Sequence, residues 1–395
     1  MIGSGSRVAS LLGILACFVV LHPQLSAQEH KPTYNDLLVV RNRRWAKTDF
    51  FEIRAGLMGI MPSGEDSLRF AEKDYNLQGQ AYYRSSKPFG REGRLELYAG
   101  RDGSYASLVD GNPDAPNKGY SRIEIHGRQW GAFQREGYYD GDKFQPVGLY
   151  RMKDWRVKVS FATNFAKGLK GEAGAFYGHN SFSRDSQTAS GFTIPQGFKV
   201  YGFNAHIEDN GIQVDQQTNL PQKGALFSIW MEREWNDNND AFGTLGNETS
   251  LPAAVMRGGG HMEYYAPYTT NGTWVLSADA AMAAEDDRIF INDAGKPIGK
   301  MWVDARVDYR LLLGDHLTLT PGFRAQWVKV AGQFGTGTDT KFFFGGQVEL
   351  RYDFAESFAL TAEYSYLSNE SRSPISFTKD GLGEHRFFIG FEFRP

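Results

Sequence analysis

The sequence predicts an all-β chain: a transmembrane, antiparallel, up-and-down β-barrel. Three observations carry that expectation. Long runs alternate apolar and polar residues with a period of two, most plainly from Met301 to Leu313. No stretch after residue 27 holds about 18 apolar residues in a row, which excludes a helical span but not a barrel, whose lipid-facing residues alternate with polar lumen residues. The gaps between the runs alternate between short and long, as periplasmic turns and outer loops do in such barrels.

Taken from the N-terminus, residues 1–27 read as a secretory signal peptide. Arg7 supplies the positive end, Val8–Leu21 is almost wholly apolar, and Leu25-Ser26-Ala27 offers a small-residue cleavage site before Gln28. Ile14-Leu15-Ala16-Cys17 loosely fits a lipobox, yet the apolar run continues through Phe18, Val19 and Val20, past the point where a lipidated cysteine would end it. Cys17 is the only cysteine, so the exported chain is expected to have neither disulfides nor thiol chemistry. Residues 28–49, with Arg41, Arg43, Arg44 and Trp45, read as a periplasmic arm at the headgroups, a lumen plug being the other reading. The barrel is expected over residues 50–395.

The runs then follow in order. Phe50–Met61, Tyr75–Ser85, Arg94–Asp102 and Tyr120–Phe133 come first. Next is a run whose apolar face is Trp155, Val157, Val159, Phe161 and Phe165, opposite Arg156 and Lys158. Glu172–Ser183, Phe198–Ile207, Ala225–Trp235 and His261–Tyr268 lead to the apolar face Trp274, Leu276, Ala278, Ala280, Met282. In Met301–Leu313 every odd position is apolar, while Asp304, Arg306, Asp308 and Arg310 occupy even ones. Leu317–Val328 carries Arg324. Phe342–Phe354 opposes its aromatic face with Glu349, Arg351 and Asp353. The run from Phe358 brings Glu363, and Phe387–Phe393 closes the chain. That makes about fifteen runs; bacterial barrels carry even strand numbers, so the expected count is about 16, with 14 the alternative. Either Gly127–Lys153 holds one more strand, or one of the weaker runs is misassigned. Pro321 lacks the N–H a closed ladder needs, which predicts a bulge or strand end there.

Short turns at Lys167–Lys170, Thr269–Gly272, Gly314–His316 and Ala355–Ser357 are expected in the periplasm. Long loops at Asn236–Val255, Glu285–Gly299 and Asn369–Gly383 are expected outside. The 45 glycines and 14% aromatic content suit tight turns and interfacial rings, and the net charge of -3 gives no footprint for nucleic acid.

One region resembles the barrels of the outer-membrane assembly-factor family (BamA/TamA-like surface antigens). Asp209-Asn210, then Pro221-Gln222-Lys223-Gly224 and the strand Ala225–Trp235 are similar to the family's turn between two strands. His261–Tyr268 and Trp274–Ala284 resemble its next two strands. The resemblance implies a barrel with an inward loop bearing an Arg-Gly-aromatic signature between Ala284 and Lys300. That loop here has no Arg-Gly pair, and the family's client-receiving periplasmic domains have no counterpart in residues 28–49.

Candidate chemistry is sparse. His179 and Ser181, two apart on one strand face, have the spacing at which an imidazole activates a hydroxyl, and they resemble the pair of outer-membrane lipid hydrolases. Asp237–Asp240 and Glu285–Asp287 offer oxygens of the kind calcium takes but match no full loop template. No cofactor, metal or enzymatic role is therefore expected. The lumen set Asp304, Arg306, Asp308, Arg310, Arg324, Glu349, Arg351, Asp353 and Glu363 carries both signs, as a wet channel wall or a cross-strand network would. The expected role is a passive, porin-like conduit for small hydrophilic solutes in a bacterial outer membrane. Its expected contacts are membrane lipids and lipopolysaccharide. A surface-antigen barrel with a structural or assembly role is the alternative, and a barrel lipid esterase a second one.

Overall fold

The computed structural model describes residues 50–393 apart from 63–73, 86–92, 101–102, 113–114, 116, 135–136, 141–142, 215–220, 251–252, 285–298, 332–337, 356 and 368–383. The signal peptide, the arm and the 284–300 signature region lie outside or mostly outside the described residues. The wall consists of β1 (Phe50–Pro62), β2 (Asp74–Ser85), β3 (Arg94–Gly100), β4 (Gly103–Asp110), β5 (Gly119–Gln134), β6 (Leu149–Asn164), β7 (Leu169–Arg184) and β8 (Phe198–Asn210). It continues with β9 (Pro221–Asn236), β10 (Ala254–Pro267), β11 (Gly272–Ala283), β12 (Gly299–Leu312), β13 (Leu317–Ala331), β14 (Thr338–Ala355), β15 (Phe358–Leu367) and β16 (Glu384–Phe393). Each pairs antiparallel with its sequence neighbours, and β1 pairs with β16 from Ile53↔Phe393 to Pro62↔Glu384. The result is a closed 16-strand barrel. Gln213–Val214 adds a short rung beside β9 at the turn expected from Asp209-Asn210 and Pro221–Gly224, where the Asn210 side chain accepts from the Ile212 N–H at 3.1 Å.

The sixteenth strand does not lie in Gly127–Lys153, which holds the upper end of β5, a small hairpin (Gly137–Asp140 with Lys143–Pro146) and the start of β6. The overlooked strand is β4, since Arg94–Asp102 ends early and the chain doubles back at Gly100↔Gly103. Asp102-Gly103 was the available signal, a hairpin dipeptide flanked by alternating residues, and Gly103 takes φ +145°. Pro321 makes neither a bulge nor a strand end. Its register with β14 is continuous (Pro321↔Val348), and the β12 ladder passes from Asp308↔Gly322 to Leu311↔Leu319 without a shift, omitting the pairs beside the proline. The missing donor is accommodated by leaving a local gap in one ladder.

Alternation sorts the side chains as expected. Val159, Phe161, Phe203, Phe227, Ile229, Val307, Phe323, Phe344, Leu350 and Ile389 are exposed on the outside. Aromatic rings gather toward both rims: Trp155 with Tyr177 and Tyr201 with Trp235 near one, Trp274 with Tyr309 (centroids 4.7 Å) and Phe358 with Phe393 (4.6 Å) near the other. This is the apolar band and double aromatic girdle of a membrane wall. The connections at 165–168, 268–271 and 313–316 are tight turns closed by backbone bonds such as Leu313 N–H to Leu317 carbonyl, 2.7 Å.

Val307 lies midway along the lipid face of β12 and is 39% exposed. Val307→Arg is expected to lower the free energy of folding into bilayers by roughly 2–4 kcal/mol, whereas Leu313→Arg, at the strand's rim, costs about 0–1 kcal/mol. Denaturant titrations in lipid vesicles measure both; the reverse order would invert the depth assignment.

Candidate functional site

The inward face is crowded with ionised side chains, and the site is built from how they are matched. On β6, Arg156 donates to Glu232 at 3.3 Å and to Glu234 at 2.8 Å, both on β9. Arg257 on β10 meets the same two carboxylates at 2.5 and 2.7 Å. Two glycines give Arg156 room to lie along the wall. A Cβ on Gly178 would stand 2.8 Å from the Arg156 Cγ, and one on Gly202 would press on the Arg233 carbonyl and the Phe176 ring. The guanidinium then rests 5.0 Å from the centre of that ring. Glu234 is fully buried (0% exposed), and a carboxylate so placed is stable only because two arginines hold it.

Neighbouring sectors repeat the arrangement. Glu172 on β7 accepts from Lys158 (2.9 Å) and Ser160 (2.8 Å) and faces Arg122 at 3.5 Å. His261 on β10 bridges Asp279 (2.8 Å) and Glu263 (3.1 Å), and Tyr265 donates to Glu263 at 2.8 Å. The sequence reading missed Arg156's partners and the His261 group. The alternation revealed that these residues point inward, but which charge meets which depends on register.

The nine expected lumen residues do not form a single cluster. Asp304 is clasped by Arg324 (3.0 and 2.5 Å) and by Gln326 (3.0 Å), while Asp308 accepts from Gln347 at 2.7 Å and Arg306 lies two positions away on the same face. Arg310 donates to the Pro221 carbonyl. Arg351 spans Asp353 (2.7 Å) and Glu392 (3.0 Å). Glu349 stands opposite Glu363 in the β14–β15 register, and Glu363 pairs with Arg54 of β1. Burial divides them: Asp304, Asp308 and Arg351 are buried, whereas the side chains of Arg54 and Asp353 are 29% exposed and that of Glu363 37%.

His179 and Ser181 are not in the lumen. They share the outward face of β7 with Tyr177, and the Ser181 hydroxyl donates to the Lys153 carbonyl at 3.4 Å rather than to the imidazole. In the Asp237–Asp240 loop, Asp237 accepts from the Lys199 N–H at the start of β8 at 2.7 Å and Asn238 from the Asp240 N–H at 2.8 Å, so one side chain ties the loop to the wall and the other closes its turn.

The outer mouth is partly roofed. Phe192–Thr193 pairs with Ala241–Thr244, which pairs with Asn247–Ser250. Beneath this small sheet a buried apolar cluster joins Tyr150, Phe192, Phe198, Val200 and Phe242. Phe198 and Val200 point inward from β8, so these two loops fold over the lumen. Asp185 pins the roof to β6. Burial raises its carboxyl pKa, but Arg151 at 2.6 Å and the Gln187 N–H at 3.2 Å outweigh that and hold it below the usual value. A depressed carboxylate stabilises above its unfolded pKa and loses that contribution as pH falls, so acid loosens this anchor.

A search of solved structures gives 192 matching chains. BamA from Haemophilus ducreyi lacking POTRA domains 1–3 superposes with TM-score 0.52 at 10% identity, over 86% of this chain and 70% of that one. The chain has the fold of an outer-membrane β-barrel. CdiB from Acinetobacter baumannii gives TM-score 0.49 at 10% identity, over 86% of this chain and 60% of that one. No family model and no curated protein matches the sequence. The loose likeness to the assembly-factor barrels read from the sequence therefore stands at the level of fold.

Glu234→Gln is expected to destabilise the barrel by about 1.5–3 kcal/mol, since it removes the buried carboxylate and leaves Arg156 and Arg257 sharing Glu232 alone. Combining it with Arg257→Gln should cost less than the two single losses together, a coupling that a double-mutant cycle in unfolding titrations reads directly. Strict additivity would mean the two groups do not act as a pair.

Proposed function

We propose that this chain is a passive conduit for small hydrophilic solutes across a bacterial outer membrane, with its water path confined to one side of the lumen. One observation carries the reading: the inward charges are not uniformly buried. On β7, β9 and β10, Glu172, Glu234 and Arg257 are sealed in pairs with side chains 0–11% exposed, whereas Arg54, Asp353 and Glu363 on β1, β14 and β15 keep paired side chains of both signs 29–37% exposed. A barrel of about 16 strands is wide enough to hold water unless something fills it. Opposed charges along that strip would act on passing ions through a transverse field. In this reading the leader is removed near Ala27 on export, the apolar band is solvated by membrane lipids and lipopolysaccharide, and neither His179 nor Ser181 has a catalytic role.

A second reading, a surface-antigen barrel with a structural or assembly role, has its own support. Asp304 and Arg351 belong to a packed cross-strand network rather than to a wet wall.

Glu363→Lys separates the two. A conduit shifts its reversal potential in a salt gradient toward anion preference while its unfolding midpoint barely moves, because exposed pairs are worth about 0–1 kcal/mol. An unchanged reversal potential, or channels that never open in the parent protein, would favour the structural barrel.

A further inference from the structure

His179 and Ser181 have no part in the lumen, and their neighbours give them another context. Both face outward on β7 above Tyr177, toward the outer rim. On one side Lys153 of β6 registers with Ser181; on the other Lys199 of β8 registers with His179. Both lysines share the outward parity of the exposed Trp155 and Tyr201, and each lies two residues nearer the outer end of its strand. Both are exposed, and among the described residues their ammonium groups make no hydrogen bond or ion pair. In the lumen, by contrast, Lys158 and Lys170 are each tied to a glutamate at 2.9 Å.

Height decides what such cations can meet. The girdle of Trp155, Tyr177, Tyr201 and Trp235 marks the edge of the hydrocarbon. Lys153 and Lys199 stand one row of side chains above it, where the headgroups begin. Their Cα atoms are roughly 12 Å apart, from two strand steps of about 4.8 Å and an offset of two residues at about 3.4 Å each. Flexible four-carbon stems let both ammonium groups converge over His179 and Ser181. Arg233 of β9 adds a cation at the girdle itself, 5.5 Å from the centre of the Trp235 ring. Two carboxylates border the patch, and both are engaged: Asp185 by Arg151 at 2.6 Å and Asp237 by the Lys199 N–H at 2.7 Å. Positive charge stays in excess.

We propose that Lys153 and Lys199 bind a phosphate of a phosphorylated glycolipid in the outer leaflet, the lipid A part of lipopolysaccharide. The His179 ring and the Ser181 hydroxyl, held only by a 3.4 Å bond to the Lys153 carbonyl, supply neutral donors between them. Lysine serves a phosphate as a point charge, and a basic cluster beside a membrane surface attracts anionic headgroups. Below the girdle the acyl chains meet the exposed Val159, Phe161 and Phe203. The site rests on the outer-membrane placement and not on ion conduction, so the conduit and the lipid site can fail separately.

The refolded protein in zwitterionic detergent micelles is titrated with lipid A, and bound lipid is read by native mass spectrometry. Lys153→Gln combined with Lys199→Gln should weaken binding roughly thirtyfold, about fivefold per lysine. Lys153→Arg combined with Lys199→Arg should retain it. Lys167→Gln, which removes the same charge from the turn at 165–168 on the opposite rim, should leave it unchanged. Folding of each variant is checked by heat-dependent gel mobility. A parent protein that binds no lipid A overturns the site, as does binding that survives the double glutamine variant. Equal binding of lipid A stripped of its phosphates also overturns it, since acyl chains alone would then be held. Displacement by inorganic phosphate at equal concentration would mean a free-ion site and overturns the lipid assignment.

Discussion

Inside hydrocarbon, a peptide group without a hydrogen-bond partner costs several kcal/mol, and the rest of this molecule follows from that penalty. The closing pairing of β16 with β1 satisfies the last two edges. Closure in turn fixes the period-two code: once every strand is paired on both sides, one side chain in two must face lipid and the next must face inward. The outward set, among the described residues, is therefore mostly apolar between the two aromatic rims. Pro321 shows how local the constraint can be, since one missing donor is tolerated with no change of register.

The same closure creates the second problem, a lumen face of charges with little solvent in places. The chain answers with pairing across several strands. Arg156 reaches Glu234 only because Gly178 and Gly202 clear its path, so the glycines contribute to electrostatics as much as to backbone geometry. On β7 and β9 Glu172 and Glu234 are sealed, while Asp353 and Glu363 on β14 and β15 are partly open beside the buried Glu52 and Glu392.

Much of the fold was legible because alternation is a strong and local signal. Met301–Leu313 and Phe342–Phe354 identify their faces unaided, and the tight turns near 269 and 314 follow from spacing. β4 was missed because a strand of 8 residues carries too few alternations to stand apart from the run before it. The inward direction of the nine charged residues could be read, but not their partners. Asp304 finds Arg324 one strand over, whereas Arg351 finds Glu392 two strands away. The roof was illegible for a different reason: Phe192 and Phe242 sit in loops without periodicity, and only their contact with Tyr150 and Phe198 shows that they belong together.

What matters most is whether water crosses beside Arg54, Asp353 and Glu363. Single-channel recording of the refolded protein in a planar bilayer tests this directly. Discrete conductance steps that persist without any partner protein are the predicted result. Folded, heat-modifiable protein that inserts and yet passes no current would contradict it, and the lumen would then be a structural core.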